Sequence, residues 1–525
     1  MFISARVSAV AFTAALLTWT AISIVPASAT ILDGCGDSQS RIDLNGDGFD
    51  DAVVGNPYAT VDGEAEAGEI TVLFGDADGR IGEGLRRTVT QTELGETPEE
   101  GDHFGWSVAV GRADQDESCA SIVVGAPGED VDGTADAGMA HLALYNTDDE
   151  GQPTDLESQV LTQDQGGGAI EEGDEFGYSV ALAGPTQPDP YALVIGAPGE
   201  SAGTIADAGA ISVFVVVGGS QGGSQYLQGR VANSGGDRVP GTPQEGDRFG
   251  ASLAAAFLDL GDGGGGSFVV GAPGDVVDGK DNAGTITVFE GEDGDGPFSS
   301  VRQFSEDSRG VPGVSEAGDQ FGFSLALSPF RSGYLPRSLA VGVPGEDRGA
   351  VVDAGAVALF HNTNNTLVPR ANLTQATTGV PGTVEAGDQF GYSVAYQYAQ
   401  RLLVGVPFED IGAVADAGSV QPVELSAPGN ALRFGASITE DAPGTAYGIA
   451  ADSRFGYAVS GLTGVRENVY TISSPFQGDG SVYVVSDQSA AGGGDLPPRA
   501  WLPGQGGIPA SPGGTFGYSV SGPNW

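Results

Sequence analysis

Apolar residues in this chain come in short runs, and Gly, Pro and Asp interrupt the runs at regular intervals. Segments such as FGYSVAL, ALVIGAP and AGAISVF are rich in Val, Ile and aromatic residues. Runs of this length with turn-forming residues at both ends are typical of β-strands. Apart from an apolar stretch at the N-terminus, no segment has the 3.6-residue period of an amphipathic helix. The pattern therefore predicts an all-β protein.

Three motifs repeat along the chain. The first is GD-x-FG followed by an aromatic residue or Ala and then Ser, and its phenylalanines are 72, 73, 72, 69, 65 and 61 residues apart. The second is an apolar run that ends in G-x-P. The third is Ala-Gly at the start of an alternating run, always 12 residues after the G-x-P glycine, which indicates a loop of fixed length. The phenylalanines are Phe104, Phe176, Phe249, Phe321, Phe390, Phe455 and Phe516; the glycines are Gly55, Gly125, Gly196, Gly271, Gly342 and Gly405; the alanines are Ala67, Ala137, Ala208, Ala283, Ala354 and Ala417.

The two ends of the chain give the number of repeats. Each unit holds three such strands and room for a fourth, which is the content of a β-propeller blade. The first G-x-P, at Gly55, has no FG strand before it, and the last FG, at Phe516, has no G-x-P after it. We therefore predict a seven-bladed β-propeller of four-stranded blades whose first blade is closed by the C-terminal strand, which removes two open sheet edges. The alternative is a truncated array with a stub at its end.

The segment DLNGDGFDD places oxygen-bearing side chains at alternate positions, Asp43, Asn45 and Asp47, followed by Gly48 and Asp51. Carboxylate and amide oxygens in a curled loop are the ligands that Ca²⁺ prefers. The segment is not an EF-hand, because the twelfth position is a valine and a strand follows instead of a helix. The alternative is an Asn/Asp/Gly turn that binds nothing.

Together, the FG and G-x-P motifs resemble the FG-GAP repeats of the integrin α-subunit head and its bacterial relatives. The resemblance spans residues 42–525 and implies a seven-bladed β-propeller. It also implies that Asp43, Asn45, Asp47, Asp51 and the backbone carbonyl of Phe49 bind Ca²⁺. Later units lack an intact copy of this loop, so we expect one calcium site. The segments that follow the propeller in an integrin are missing from this sequence, so cell adhesion does not transfer automatically.

Acidic residues dominate the charge of the chain. The 70 Asp and Glu residues against 21 Lys and Arg give a formal net charge of −49, which disfavours nucleic acid and anionic membranes and attracts divalent cations. Many of these acids flank the FG and Ala-Gly motifs, where the alternation of strand direction predicts that they gather on one face. Two interpretations stay open: a binding face for a cationic or cation-bridged ligand, or acids that cap turns and bond to backbone N–H groups of the neighbouring blade.

The N-terminus indicates export. Residues 1–29 contain Arg6, an apolar run and the small-residue sequence ASA, which together predict a cleaved signal peptide, with an uncleaved anchor as the alternative. Residues 30–41 form an N-terminal segment before the propeller. We expect a secreted or cell-surface monomer, periplasmic if the source is bacterial, with no membrane span after cleavage. Cys35 and Cys119 predict one disulfide, or two free thiols.

The function predicted from sequence is that of a binding or adhesion-like module for an extracellular protein or a carbohydrate. The three histidines share no metal-ligand spacing, and no GxSxG, HExxH or phosphate loop occurs. We therefore predict that the chain is not an enzyme and has no catalytic residues. The alternatives are a propeller hydrolase or lyase with its site in the central funnel, and a structural component of the cell surface or matrix.

Overall fold

The structure is a computed structural model. It describes residues 42–76, 80–111, 120–147, 153–183, 191–216, 223–228, 239–256, 267–290, 300–328, 338–363, 367–397, 401–425, 432–441, 448–463, 468–486 and 498–521. The predicted signal peptide, the segment 30–41, Cys35 and Cys119 lie outside these residues, so the disulfide stays a prediction. Within the described part of the chain, no helix combines the length and the apolarity that crossing a membrane requires.

The described residues form seven antiparallel sheets of four strands each. We number the sheets as blades 1 to 7 in chain order. The strands of blades 1 to 3 are β1 (Ala52–Asn56), β2 (Glu69–Gly75), β3 (Ile81–Val89), β4 (Ser107–Gly111), β5 (Ser121–Ala126), β6 (Met139–Thr147), β7 (Pro153–Leu161), β8 (Ser179–Ala183), β9 (Tyr191–Ala197), β10 (Ala210–Val216) and β11 (Gly223–Gln228). Short 3-10 helices, Gln91–Leu94 and Gln163–Gly166, follow β3 and β7.

Blades 4 to 7 repeat the same arrangement. Their strands are β12 (Ser252–Ala256), β13 (Ser267–Ala272), β14 (Thr285–Glu290), β15 (Ser300–Phe304), β16 (Leu325–Leu327), β17 (Ser338–Val343), β18 (Ala356–Asn362), β19 (Leu367–Leu373), β20 (Ser393–Gln397), β21 (Arg401–Val406), β22 (Ser419–Leu425), β23 (Leu432–Phe434), β24 (Val459–Thr463), β25 (Asn468–Ser474), β26 (Ser481–Ser486) and β27 (Arg499–Trp501). The FG strand is the first strand of every one of these sheets, and first strands of neighbouring blades contact each other.

Blade 1 is completed by the last strand of the chain, β28 (Ser519–Val520), in the order β28-β1-β2-β3. Val54 pairs with Val520 and Gly55 pairs with Ser519. The backbone N–H of Val53 also donates to the Ser521 hydroxyl oxygen at 2.9 Å. The predicted seven-bladed propeller and its closure by the C-terminal strand are therefore confirmed, and the truncated array is wrong.

The FG and Ala-Gly motifs join each blade to the next. All seven FG phenylalanines are fully buried. The N–H of Phe104 donates to the carbonyl of Ala67 at 2.9 Å, and Phe176 bonds to Ala137 in the same way at 3.0 Å. Each phenylalanine therefore docks against the third strand of the preceding blade, and the fixed 12-residue spacing keeps that docking position constant.

The hydrophobic core is divided among the boundaries between blades. One cluster combines Ala109, Val123 and Leu142 of blade 2 with Phe176 and Ile195 of blade 3. Full burial of a Phe or Ile side chain stabilises the fold by about 1.5–3 kcal/mol. The apolar faces of each described blade pack against both neighbouring blades, so the core clusters are shared between blades.

Candidate functional site

A group of aromatic side chains surrounds the start of the inner strands. They occupy the position directly after each FG glycine, and we call the six of them the aromatic rosette: Trp106, Tyr178, Phe323, Tyr392, Tyr457 and Tyr518. Ring centroids of neighbours in the rosette are 4.8 to 5.3 Å apart, and the planes are tilted by 42 to 51°. Tilted rings at these separations attract each other through their quadrupoles. The rosette therefore holds a fixed set of ring faces.

One blade leaves a gap in the rosette. Blade 4 has Ala251 where the other six have a ring, so the rosette position between Tyr178 and Phe323 carries only a methyl group. A pocket of about 320 Å³ opens there, and the rosette, Ala251 and the polar residues Asn282 and Gln320 line it. Aromatic and polar residues share the lining of this pocket, and ligand sites commonly combine aromatic side chains with a few placed polar groups.

One cation already faces the rosette. The Arg248 guanidinium lies 5.2 Å from the centroid of the Tyr178 ring and donates to the Glu175 carboxylate at 2.7 Å. Burial raises the pKa of Tyr392, Tyr457 and Tyr518 above the ordinary range, so these phenols stay neutral. Neutral ring faces of this kind attract cations.

The aspartates of the GD-x-FG motif stabilise turns. Their carboxylates accept the N–H of the residue three positions earlier, at 2.6 Å from Glu99 to Asp102 and at 2.8 Å from Glu171 to Asp174. The same bond occurs at Asp247, Asp319 and Asp388. Of the two interpretations of the acidic face, this geometry supports the one in which the acids cap turns. The N–H groups belong to the aspartate's own loop, however, and not to the neighbouring blade.

Buried glutamates accompany these aspartates at the blade boundaries. Glu129 is 6% exposed and accepts from Nε2 of Gln91 at 2.5 Å. Gln163 donates to Glu200 at 2.6 Å, and Gln375 donates to Glu409. Burial, followed by repulsion from Asp102, raises the pKa of Glu129 to about 8. At these three blade boundaries, a glutamine side chain thus donates the hydrogen bond that a buried glutamate needs.

The predicted calcium loop winds around Asp43. Its two carboxylate oxygens accept the N–H groups of Gly46 and Gly48 at 2.7 and 2.8 Å. Asp47 accepts from the N–H of Phe49 at 3.0 Å and from the amide of Asn45 at 2.9 Å. These hydrogen bonds hold the loop in a curled conformation, and Phe49 is part of the curled segment. These residues supply hard oxygen donors, which is the chemistry that Ca²⁺ requires.

Asp51 fixes the far side of the same loop. Its oxygens accept the N–H groups of Leu44 at 2.7 Å and Gly75 at 2.8 Å, which attaches the loop to the end of β2. Burial, followed by repulsion from Asp43 and Asp47, raises the pKa of Asp51 well above its usual range. A cation in the loop would relieve this repulsion, so the donor set fits the ion.

Two features of the site were missed by sequence reasoning. The residue after FG is aromatic in six of seven copies, which was visible as part of the motif but was not assigned a role. The glutamine two residues after the fourth strand, in TQTEL, LTQDQ and LTQAT, also repeats. Its partner Glu lies 34 to 38 residues away, so the pairing emerges only in three dimensions.

Comparisons with known proteins agree with the repeat. The family model of the FG-GAP repeat matches residues 40–73, which contain the predicted calcium loop, β1 and most of β2. No curated protein sequence matches this chain. A solved structure from Bacteroides fragilis, provisionally assigned as a 6-phosphogluconolactonase, matches with 11% identity and a TM-score of 0.45, covering 90% of this chain and 98% of that one. The periplasmic gluconolactonase of Pseudomonas aeruginosa matches with 11% identity and a TM-score of 0.43, covering 89% and 98%.

The prediction that the chain is not an enzyme is corrected: the two matching structures carry the names of a provisional 6-phosphogluconolactonase and of a gluconolactonase. The prediction relied on missing short motifs, but blade loops bring distant residues together, so a propeller site need not leave such a motif. At this identity, the lactonase activity is said of those proteins alone. What the motifs, the sheets and the family match show together is that the chain is a seven-bladed β-propeller with an FG-GAP repeat at residues 40–73.

Proposed function

We propose that this chain is an exported propeller that binds a protein partner by accepting a cationic side chain in the rosette pocket. The observation that carries the proposal is the gap at Ala251, which opens a pocket among six aromatic rings. The calcium loop, in this proposal, stabilises the blade where the two ends of the chain meet. Secretion or display on the cell surface follows from the predicted signal at residues 1–29.

Three properties of the pocket favour a cation. The ring faces are neutral, because burial keeps the tyrosine hydroxyls protonated. Arg248, which also lines the pocket, makes a cation–π contact with Tyr178 while the Glu175 carboxylate pairs with its charge. The net charge of −49 also raises the local concentration of cationic groups near the surface. A cation over an aromatic face contributes about 0.5–2 kcal/mol, more as water is excluded.

Binding is tested by filling the gap. The Ala251→Tyr variant completes the rosette, and Leu85→Tyr adds the same ring at an exposed position on β3, so it serves as the matched control. Each protein is applied to arrays of Lys- and Arg-containing peptides and of glycans. We expect the wild type and Leu85→Tyr to capture cationic peptides, and Ala251→Tyr to lose at least about tenfold in affinity, the effect of 1.4 kcal/mol.

Two results would overturn the proposal. The first is equal peptide binding by Ala251→Tyr, in a protein whose thermal melting matches that of the wild type. The second is capture of glycans alone that Ala251→Tyr abolishes, which would keep the pocket as the site and make a carbohydrate the ligand.

A further inference from the structure

Three carboxylates meet at the boundary between blades 4 and 5. Glu306 follows β15, Asp319 belongs to the GD-x-FG motif before β16, and Glu346 follows β17. One carboxylate oxygen of each lies within 4.8 Å of the others. The residues are 2%, 1% and 9% exposed. Three acids are therefore packed together with almost no access to bulk water.

Glu306 has no hydrogen-bond donor. Both of its carboxylate oxygens are buried, and no N–H or hydroxyl group of the described chain donates to either. The Asp319 carboxylate beside it can share a hydrogen bond only if one of the two acids carries a proton. One oxygen of Glu346 is also buried without a donor. Burial, followed by repulsion from Glu346 and Asp319, raises the pKa of Glu306 to about 9.

Other blade boundaries show what is unusual about Glu306. At three other boundaries, the second residue after the end of the fourth strand is a glutamine, and its Nε2 donates to a glutamate of the next blade. These glutamines are Gln91, Gln163 and Gln375. Blade 4 has Glu306 at this position. The glutamine amide that would donate a hydrogen bond is therefore replaced by a carboxylate, which accepts hydrogen bonds as Asp319 and Glu346 do. Glu440 is another buried acid in a loop after a fourth strand, and it accepts a hydrogen bond from the Tyr483 hydroxyl at 2.9 Å.

A second group of acids at the same spacing lacks these properties. Oxygens of Glu171, Asp174 and Glu200 also lie within 4.8 Å of one another. However, Glu171 is exposed, and Gln163 donates to Glu200. Of the two groups of three acids in the described part of the chain, the one formed by Glu306, Asp319 and Glu346 is therefore the uncompensated one.

We propose that Glu306, Asp319 and Glu346 bind a divalent, oxygen-preferring cation such as Ca²⁺, at a site separate from the N-terminal loop. Two oxygens bound to one Ca²⁺ at 2.3–2.6 Å lie at most about 5 Å apart, and these three oxygens meet that limit. The ion offsets two of the three negative charges and supplies the partner that Glu306 lacks. It would attach the end of blade 4 to two loops of blade 5.

The experiment exchanges the boundary residue in both directions. Glu306→Gln installs the residue found at three other boundaries, so the variant is expected to fold. Gln375→Glu creates a group of three acids with Asp388 and Glu409. The chelator-treated full chain and both variants are titrated with Ca²⁺ by calorimetry near neutral pH, and the number of ions bound per chain is measured.

We expect Glu306→Gln to bind one ion fewer than the wild type, and Gln375→Glu to bind one more. The comparison counts differences, so it holds whether or not the N-terminal loop binds calcium, and it is independent of peptide capture by the rosette. An unchanged number of ions in both variants would overturn the proposal. In that case a Glu306→Gln protein that melts at higher temperature without calcium would identify shared protons as the native arrangement.

Discussion

The hydroxyl of Ser519 donates to the backbone carbonyl of Gly105 at 2.8 Å, across 414 residues of sequence. Ser519 is the serine of the last FG motif and Gly105 is the glycine of the first. The same bond occurs at five other blade boundaries, as from Ser107 to Gly177 at 2.7 Å, whereas blade 7 has Ala458 in place of the serine. Further examples are Ser179 to Gly250, Ser252 to Gly322, Ser324 to Gly391 and Ser393 to Gly456. The motif FG-x-S therefore encodes both halves of a contact between inner strands.

Closure of the ring is tested at its last link. Ser519→Ala removes one hydrogen bond and leaves the Gly105 carbonyl without this donor, so we expect a loss of about 1 kcal/mol in the free energy of unfolding. Deletion of residues 515–525 removes β28 and the buried Phe516, so we expect a much larger loss and a broader thermal transition. Chemical denaturation followed by tryptophan fluorescence measures the free energies of unfolding of both variants, and a temperature scan measures the breadth of the thermal transition.

Ser393→Ala is the matched control, because Ser393 makes the same bond to Gly456 at 2.8 Å between two blades inside the chain. Similar losses in the two serine variants are expected. Unchanged unfolding of the chain lacking residues 515–525 would show that β28 does not close the ring in solution.

The G-x-P glycines are required by a close approach between the second strand of one blade and the start of the inner strand of the next blade. A Cβ atom added to Gly125 would lie 1.8 Å from the carbonyl oxygen of Gly177 in the next blade. We expect Gly125→Ala to destabilise the fold by about 3 kcal/mol or more, since the backbone of two blades must separate. Gly84→Ala is the control, because its Cβ would meet nothing within 4 Å. Equal melting temperatures for the two variants would contradict the close approach.

Most of the fold could be predicted from sequence because repetition made the constraints visible. Counterparts of Phe104 and Ala67 recur in successive blades, and each pair marks one contact between blades. The unmatched motifs at Gly55 and Phe516 predicted the closure for the same reason. The site was less accessible, because its distinguishing features are departures from the repeat. Ala251 and Glu306 matter through what neighbouring blades place around them, and a single sequence does not show those neighbours.

Buried acids should make stability depend on pH. The folded pKa of Glu129 is raised to about 8, so its contribution is fully present below the unfolded value and is lost as pH rises through about 8. We therefore expect the free energy of unfolding to fall between pH 5 and pH 8. Glu129→Gln removes this titration and should flatten the slope by about 1 kcal/mol per pH unit.

Urea denaturation at several pH values measures that slope. The exposed Glu64 provides the control, since Glu64→Gln should leave the slope as it is in the wild type. If Glu129→Gln and the wild type have the same slope, Glu129 is ionised in the folded protein at neutral pH.

The N-terminal loop is best tested in a chain whose second candidate ion site has been removed. In a Glu306→Gln background, Ca²⁺ should raise the melting temperature relative to chelator, because an ion at about 100 times its Kd stabilises the folded state by about 2.7 kcal/mol. Adding Asp47→Ala removes a carboxylate that also accepts the Phe49 N–H, and we expect the calcium-dependent shift to disappear. Adding Glu64→Ala instead removes an exposed acid from the β1–β2 connection of the same blade and should preserve the shift. A shift that survives Asp47→Ala would exclude the loop as its source and leave DLNGDGFDD as a turn held by Asp43 and Asp51 alone.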